Sequence, residues 1–281
     1  RFAEYYQQIC ALIGGDPLAI AMRDPEFING NLVSSLLTVL ASVACLDLLK
    51  EKYPSYQPQA VAGYSVGQWV ALYAGGNLGL KDLFDVVAKR AHLMDQCVAA
   101  APPSGMLAVL GLRDMDIEAV CREISQQGEL LQISNYNAPG QYTLAGSEAG
   151  LRSAAERLAS LRPKKLFRLA VAGAWHSKIL EPIVEPLNCL LKQVQINSAY
   201  LPIIDNTTGT WLPIDMHECR AHLARQVAHP VLWMQGIRTM AAFGVRSVVE
   251  VGFGDTLTKF GFFVDRSLRH QALVPLPRAR S

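Results

Sequence analysis

The pentapeptide Gly63-Tyr64-Ser65-Val66-Gly67 constrains the fold of this chain more than any other feature. A short apolar run precedes it, and the residues after it are spaced as in a helix, which gives strand, sharp turn and helix in that order. A G-x-S-x-G sequence in that context is typical of a nucleophile elbow. The two glycines would let neighbouring backbone pass close to the turn. A glycine-rich helix start would give the same letters, and on the pattern alone both interpretations stand.

The elbow interpretation predicts two chemical groups. The turn would hold the Ser65 hydroxyl clear of the sheet, where it can act as a nucleophile. It would also leave the Val66 amide free at the start of a helix, where an N–H group can donate to an oxyanion.

A serine nucleophile needs a base, and the histidines are the candidates. Four of them lie in or beside helical stretches, where packing or surface roles are expected: His92, His217, His222 and His229. His176 stands in a loop of small residues before a helix and is the first candidate, with His270 in a polar tail as the second. No acid is singled out to orient the base. Asp205, Asp255 and Glu250 follow apolar runs, but a backbone carbonyl can orient an imidazole equally well.

Composition limits the function classes. Of 281 residues, 51% are hydrophobic and 18% charged, which is typical of a compact globular protein. The net charge of +2 does not suggest nucleic acid, and the longest apolar run, 36–45, looks too short to span a bilayer. The cysteines are scattered without a C-x-x-C pair, so neither a zinc site nor a disulfide framework is predicted. With no signal peptide visible, we expect a cytoplasmic protein.

The order of the predicted elements indicates two domains. Residues 106–171 alternate as strand, helix, strand, strand, helix and strand, which is the ferredoxin-like pattern. The predicted strands are 106–112, 130–134, 141–145 and 165–170, and the predicted helices are 114–127 and 148–161. We therefore expect an α/β fold in which residues 1–105 and 172–281 form a hydrolase-like large domain with a parallel sheet and the elbow. Residues 106–171 would be a ferredoxin-like small domain inserted into it.

Basic residues at two places allow either a structural interpretation or a binding one. Arg90 lies on an apolar helix face, where it is either half of a buried ion pair or a clamp for a substrate carboxylate. Several cations lie in the small domain, among them Lys164, Lys165 and Arg168. They form either a solvated surface or a docking surface for an acidic partner.

Six motifs, in order along the chain, resemble one family, the malonyl-CoA:acyl carrier protein transacylases. This family includes the stand-alone acyltransferases of fatty acid and polyketide synthesis. The motifs are GYSVGQ at 63–68, KRAHLM at 89–94, SNYNAPGQYTLAG at 134–146, GAWHS at 173–177, ARQVAHPVLW at 224–233 and EVGFGDTLTKF at 250–260. The similarity runs from about residue 5 to about residue 265. It implies an α/β fold with an inserted ferredoxin-like domain, and a chemistry without metal or redox cofactor.

The resemblance also implies roles for named residues. Ser65 would form the acyl-ester, with His176 as its base, and the main-chain carbonyl of Gln226 would position that histidine. Arg90 would bind the malonyl carboxylate, and the Val66 amide would be an oxyanion donor. Tyr64, Met94 and Trp175 would contact the substrate. The partners would be malonyl-CoA and an acyl carrier protein, for which the cations at 164, 165 and 168 are the expected docking surface.

The sequence departs from the family pattern at three places. Tyr64 stands where the family normally has histidine, which changes the size and polarity of the pocket. Trp175 stands where phenylalanine or serine is usual, and its ring should disfavour α-branched acyl groups. The family takes a second oxyanion amide from an N-terminal strand with a G-Q-G-S-Q motif, which has no counterpart here. This chain instead enters helical periodicity at once, and we expect a strand to precede it.

Other functions remain open at this stage. An acyl-thioester hydrolase on the same scaffold would use water in place of the carrier thiol, although a carboxylate clamp at Arg90 argues against it. An acyltransferase with a different acyl preference would share every motif. A conventional α/β-hydrolase using His270 would need more strands before its elbow, and a non-catalytic carrier-binding scaffold would not need Ser65 and His176.

Overall fold

The computed structural model describes residues 1–198 and 200–274; Ala199 and residues 275–281, the end of the expected large domain, lie outside the described residues. The helices are α1 (Phe2–Ile13), α2 (Pro17–Ala21), α3 (Asn31–Lys52), α4 (Gly67–Ala74), α5 (Leu80–Ala100), α6 (Asp114–Gln126), α7 (Glu148–Ser160), α8 (Val184–Lys192), α9 (Met216–Arg225), α10 (Trp233–Ala242) and α11 (Thr256–Val264). The strands are β1 (Ser104–Leu110), β2 (Leu131–Ala138), β3 (Gln141–Ser147), β4 (Lys165–Arg168), β5 (Ser247–Phe253) and β6 (Arg269–Val274). Short 3-10 helices cover Pro25–Asn29 and Lys178–Ile183.

The inserted region forms an antiparallel sheet with the strand order β2-β3-β1-β4. Together with α6 and α7 this is the ferredoxin-like arrangement expected from the sequence. Apolar side chains of both helices and of the sheet meet in one core that includes Val109, Ile117, Leu144 and Leu158, all fully buried. The sheet begins at Ser104, slightly before the expected boundary, and the domain limits themselves stay a prediction.

Helix α3 is the central helix of the large domain. It spans 22 residues, more than the apolar run 36–45 within it, and by length and composition alone it could cross a membrane. Its apolar stripe is instead in the protein core, where Leu36, Val39 and Val43 are fully buried. The helix packs against α1, α4, α5 and β5. The stripe that raises its hydropathy is therefore the surface on which the large domain is assembled.

The large domain has parallel strand pairing, as predicted, although the regular part of it is small. Strands β5 and β6 pair in parallel, and Val61 forms a separate parallel bridge with Ile203. The strand expected before the elbow is reduced to this bridge, because the chain turns at Gly63 before a second residue can pair. The Val61 amide donates to Pro202 and its carbonyl accepts from Ile204, at 3.0 Å each. These two bonds fix the direction in which the chain enters the elbow.

Strand β2 joins the small domain to the large one. It is an edge strand, and its free edge is covered by the segment before α10. The Tyr136 amide donates to the carbonyl of Val231, and the Val231 amide donates to Ser134, at 2.9 Å each. Near its other end the Gln132 side chain donates to the carbonyl of His176 at 3.3 Å. The two domains therefore meet along β2, beside the loop that carries His176.

Candidate active site

The elbow has the strained geometry that a serine at the apex of a turn requires. Ser65 has φ 52°, in the left-handed region that non-glycine residues rarely occupy. A Cβ atom on Gly63 would lie 1.9 Å from the carbonyl oxygen of Gly67, so residue 63 has to be glycine. A Cβ atom on Gly67 would meet nothing within 4 Å, so the expected need for glycine there is wrong. Of the two glycines in the elbow, only Gly63, before the turn, is required by a close backbone contact.

A matched pair of substitutions tests this asymmetry. We expect Gly63→Ala to lower the free energy of unfolding by about 3 kcal/mol or more, because its methyl group would overlap rigid backbone. Gly67→Ala should fold normally, since open space surrounds that position. Urea unfolding of both variants checks the prediction, and equal stability of the two would contradict it.

Ser65, His176 and Gln226 form a hydrogen-bonded chain. The Ser65 hydroxyl lies 2.7 Å from His176 Nε2, and His176 Nδ1 lies 2.8 Å from the main-chain carbonyl of Gln226. That carbonyl can only accept, so Nδ1 carries the proton and Nε2 is left as the base. His176 itself has φ 58° and is 2% exposed. The imidazole is therefore fixed in the tautomer and direction that deprotonating Ser65 requires.

The environment of His176 favours the neutral imidazole. Burial lowers the pKa of His176 to about 4, and the positive charge of Arg90 acts in the same direction. The hydrogen bond to the Gln226 carbonyl acts against both. The base is consequently unprotonated throughout the neutral range.

The other residues considered as base or orienting acid have different roles. Asp205 binds the imidazole of His222 at 2.7 Å, and Glu250 accepts from the first amides of α11. Asp255 pairs with Lys259. His270 bonds the carbonyl of Asp265 at 2.8 Å. None of these groups bonds Ser65 or His176, and a carbonyl takes the position that an acid occupies in many triads.

Arg90 is a buried cation without an acidic partner. It is 2% exposed on α5, and burial lowers its pKa to about 10. Within residues 1–198 and 200–274 it forms no ion pair; its one hydrogen bond is a long contact of 3.4 Å from Nη2 to the Gln226 side chain, and Nε has no partner. In those residues no acidic side chain pairs with Arg90, so they do not support its interpretation as half of a buried ion pair. Met94, one turn further along α5, is buried in the core of the large domain.

The two residues that depart from the family pattern lie at the contact between the domains. The Tyr64 hydroxyl donates to Asn137 of β2 at 2.7 Å, and its ring packs edge-on against Trp233. Burial raises the pKa of Tyr64, so the hydroxyl stays protonated and keeps donating. Trp175 is half-buried and packs against a cluster that includes Met106 of β1 and Ala174. Both side chains therefore connect the walls of the site to the small domain.

The remaining groups of the site are the Val66 amide and the side chain of Asn206. Val66 precedes α4, and its amide donates to no group in the described part of the chain. Asn206 bonds the Ser65 amide at 2.8 Å, and sequence reasoning missed it. The polar pair at 205–206, directly after two buried isoleucines, was the available signal. Among the described residues there is no cluster of three or more metal-ligating side chains.

The arrangement is suited to covalent acyl transfer. It combines a half-buried serine on an elbow, a neutral imidazole at hydrogen-bond distance and a free amide at a helix start. On an α/β fold with an inserted ferredoxin-like domain, these parts define an acyl-transfer enzyme. The chain belongs to the acyl transferase domain family, which matches residues 33–271.

Individual relatives agree with this assignment. The malonyl CoA-acyl carrier protein transacylase of Haemophilus influenzae is 31% identical over 261 residues, which covers 90% of this chain and 81% of the relative. The crystal structure of an acyl-carrier-protein S-malonyltransferase from Burkholderia pseudomallei superimposes with a TM-score of 0.88 at 28% identity, covering 98% of this chain and 88% of that one. A malonyl-transacylase solved in complex with a type II polyketide synthase acyl-carrier protein has a TM-score of 0.87 at 25% identity, covering 96% and 86%. The resemblance drawn from the six motifs is confirmed.

Proposed function

We propose that the protein transfers a malonyl group from malonyl-CoA to the phosphopantetheine thiol of an acyl carrier protein. The observation that carries the proposal is Arg90, a buried guanidinium beside the Ser65–His176 pair with no carboxylate of its own. A buried cation is costly unless it is paired, so such a site favours a substrate that brings the missing negative charge. The malonyl group has a carboxylate, and the names of the relatives point to the same substrate and acceptor.

The reaction would proceed in two half-reactions through a malonyl-serine. Ser65 Oγ attacks the thioester carbonyl while His176 Nε2 takes its proton, and the developing oxyanion accepts from the Val66 amide. The C–S bond then breaks, and the imidazolium returns the proton to the leaving CoA thiolate. The carrier thiol repeats the sequence in reverse: His176 takes its proton, its sulfur attacks the ester and Ser65 leaves as the hydroxyl. No oxidant or reductant is needed, and the carboxylate stays on Arg90 throughout.

A cleft between the domains has room for a phosphopantetheine arm next to the elbow, although Ser65, His176 and Arg90 do not line it. It has a volume of about 840 Å³, within the usual range for ligand sites, and is lined by the ends of β1 and β3 on one side and by α10 and α11 on the other. Phe260 lines the cleft and packs against Tyr64, the neighbour of Ser65. Lys164 and Arg238 also line it, and in the described part of the chain neither has an ion-pair partner. Two unpaired cations beside an apolar wall suit a thioester arm that ends in phosphate.

The cations proposed for docking differ in how available they are. Lys164 and Lys165 are exposed, and Lys165 lies over the ring of Phe167 at 4.7 Å. Arg168 is paired with Glu148, so its charge is partly neutralised. The docking role therefore falls mainly on the two lysines, of which Lys164 also lines the cleft.

Reversing the charges of Lys164 and Lys165 should selectively weaken binding of the carrier protein. We expect the double substitution Lys164→Glu and Lys165→Glu to raise the KM for the carrier protein at least about tenfold, because charge complementarity governs encounter with an acidic partner. The KM for malonyl-CoA in the first half-reaction should rise less, since only the phosphate contact of Lys164 is lost there and no protein surface is docked. The matched control is Arg152→Glu, an exposed cation on α7, which does not line the cleft. An unchanged carrier KM would contradict the docking proposal.

Intact-mass measurement after brief exposure to malonyl-CoA tests the proposed function. The expected result is a malonyl adduct that maps to Ser65, is absent in Ser65→Ala and is discharged by a carrier protein. An adduct from acetyl-CoA but not from malonyl-CoA would contradict the role of Arg90. Release of free CoA without an adduct or transfer would support the hydrolase instead.

A further inference from the structure

Asn206 is a buried amide at the centre of the elbow. It lies in the loop that follows Ile203 and Ile204, and it is 2% exposed. Its Nδ2 donates to the carbonyl of Gly63 at 2.6 Å and to Gln68 Oε1 at 2.7 Å. Its Oδ1 accepts from the amide of Ser65 at 2.8 Å and from Gln226 Nε2 at 3.2 Å. An asparagine side chain has two donors and two lone pairs, so every one of them is used.

These bonds join both halves of the reacting pair. Asn206 holds the residue before the turn and the apex of the turn, and through Gln226 it holds the residue whose carbonyl orients His176. Gln226 closes the ring by donating from Nε2 to the carbonyl of Ser65 at 2.8 Å. Among the described residues, Asn206 is the side chain that bonds the nucleophile's own amide and the group behind the base. The distance between Ser65 Oγ and His176 Nε2 therefore depends on it.

We propose that Asn206 is a positioning residue for acyl transfer, which keeps the nucleophile turn in its left-handed conformation and in register with the base. A strained conformation at a functional site persists only when its surroundings over-determine it, and Asn206 supplies bonds on both sides of Ser65. It also decides which amide faces the reaction. The Ser65 amide is taken by Asn206, which leaves the Val66 amide for the oxyanion. The inference rests on the proposed role of Ser65 as nucleophile.

The loop around Asn206 is itself firmly held, as a positioning residue requires. The Asn206 carbonyl accepts from the amide of Leu232 at 2.7 Å, and its amide donates to Gln68 Oε1 at 3.2 Å. Next to it, Asp205 accepts from the amide and hydroxyl of Thr207 and bonds His222. The loop that contains Asn206 is thus connected to α4, α9 and the start of α10.

An isosteric substitution separates positioning from simple packing. In Asn206→Asp the introduced carboxylate can still accept from Ser65 and Gln226, but at pH 8 it faces the oxygens of Gly63 and Gln68 as a second set of acceptors. Burial raises the pKa of a carboxyl group, so mild acid should protonate it and restore one donor. In the wild type, the reference for this comparison, His176 stays neutral in that range because its pKa is about 4. The other titratable groups nearby are Arg90, Asp205 and His222, which the wild type and Asn206→Ala also contain.

The experiment measures the rate at which Ser65 is labelled by a fluorophosphonate, which does not depend on recognition of malonyl. Asn206→Ala should be labelled about 10²-fold more slowly than the wild type, the usual cost of a small misplacement of reacting groups. Asn206→Asp should be slow at pH 8 and should recover, relative to the wild type, as the pH falls to 5.5. Asn77→Ala is the matched control: Asn77 is equally buried and bonds the carbonyl of Asn197, away from the site. It should keep the wild-type labelling rate.

Slow labelling of both variants at position 206, with acid recovery of Asn206→Asp alone, supports the inference. Wild-type labelling of Asn206→Ala, or an equal loss in Asn77→Ala, would overturn it, as would failure of both variants at position 206 to fold. A wild type that accepts the fluorophosphonate but no malonyl group would refute the proposed function and leave this test valid. A wild type that accepts neither would overturn both.

Discussion

A His176→Ala variant should form the acyl-serine about 10⁴-fold more slowly than the wild type, the upper end of what a positioned general base contributes. His176 Nε2 lies 2.7 Å from Ser65 Oγ, and no other titratable group in the described part of the chain bonds that hydroxyl. Nothing in the site can therefore take over the proton. Single-turnover rates of adduct formation from malonyl-CoA, followed by mass spectrometry, measure the effect.

The matched control for this loss is His270→Ala. His270 was the second candidate base from the sequence, and it bonds the carbonyl of Asp265 rather than Ser65. Its removal should leave the acylation rate close to that of the wild type. A larger loss in His270→Ala than in His176→Ala would mean that His270 is the base, which would contradict the site described here.

The low pKa of His176 also fixes the pH dependence of acylation. A general base works only when it is unprotonated, so the rate falls where the base gains a proton. Because the pKa of His176 is lowered to about 4, the rate should stay level as the pH falls through 6.5 and should decline only as it approaches 4. A histidine with an ordinary pKa would lose half of its activity near pH 6.5. An acid limb at that pH would therefore contradict the buried, neutral imidazole.

Local chemistry explains which parts of the fold could be predicted. The ferredoxin-like elements follow from hydrophobic periodicity within each segment, so α6, α7 and the strands between them lie close to their predicted positions. The elbow is equally local, because the contact that requires glycine at 63 is made by residue 67, four positions later. Gly67 carries the same letter without the same constraint. The sequence cannot distinguish the two glycines. They differ only in what an added Cβ atom would contact: the backbone of residue 67 at position 63, and nothing within 4 Å at position 67.

The parts that could not be predicted depend on contacts between distant residues. Asn206 bonds an amide 141 positions earlier, and the orienting group of His176 is a carbonyl, which every residue has. The strand before the elbow depended on a partner at 203, far along the chain. The motif at 224–233 pointed to Gln226 through family resemblance alone. Sequence pattern therefore pointed to Ser65 and His176, which the fold brings within hydrogen-bond distance, whereas the groups that hold them come from distant parts of the chain.

The substitution Arg90→Met separates a substrate clamp from a structural cation. We expect the kcat/KM for malonyl-CoA to fall by about 10²–10³-fold, since losing one partner of a buried charge pair costs roughly 2–5 kcal/mol. Stability should move the other way. Arg90 is buried without an acidic partner, so an apolar side chain of similar length should leave the free energy of unfolding unchanged or raise it. Steady-state kinetics and urea unfolding measure the two effects on the same protein.

The two readouts together exclude the simpler explanations. If Arg90 were half of a structural ion pair, removing it would strand a buried carboxylate and lower the free energy of unfolding by about 3–5 kcal/mol, which would contradict the clamp. Lys89→Met is the matched control, because it removes one positive charge from an exposed neighbour on the same helix and should change neither readout.

The pH profile of the Arg90→Met variant gives a third test. The charge of Arg90 is one cause of the low pKa of His176, so Arg90→Met should move the acid limb to higher pH. A malonyl carboxylate would neutralise the same charge on binding, and the acyl group selected by Arg90 would thereby strengthen the base that transfers it.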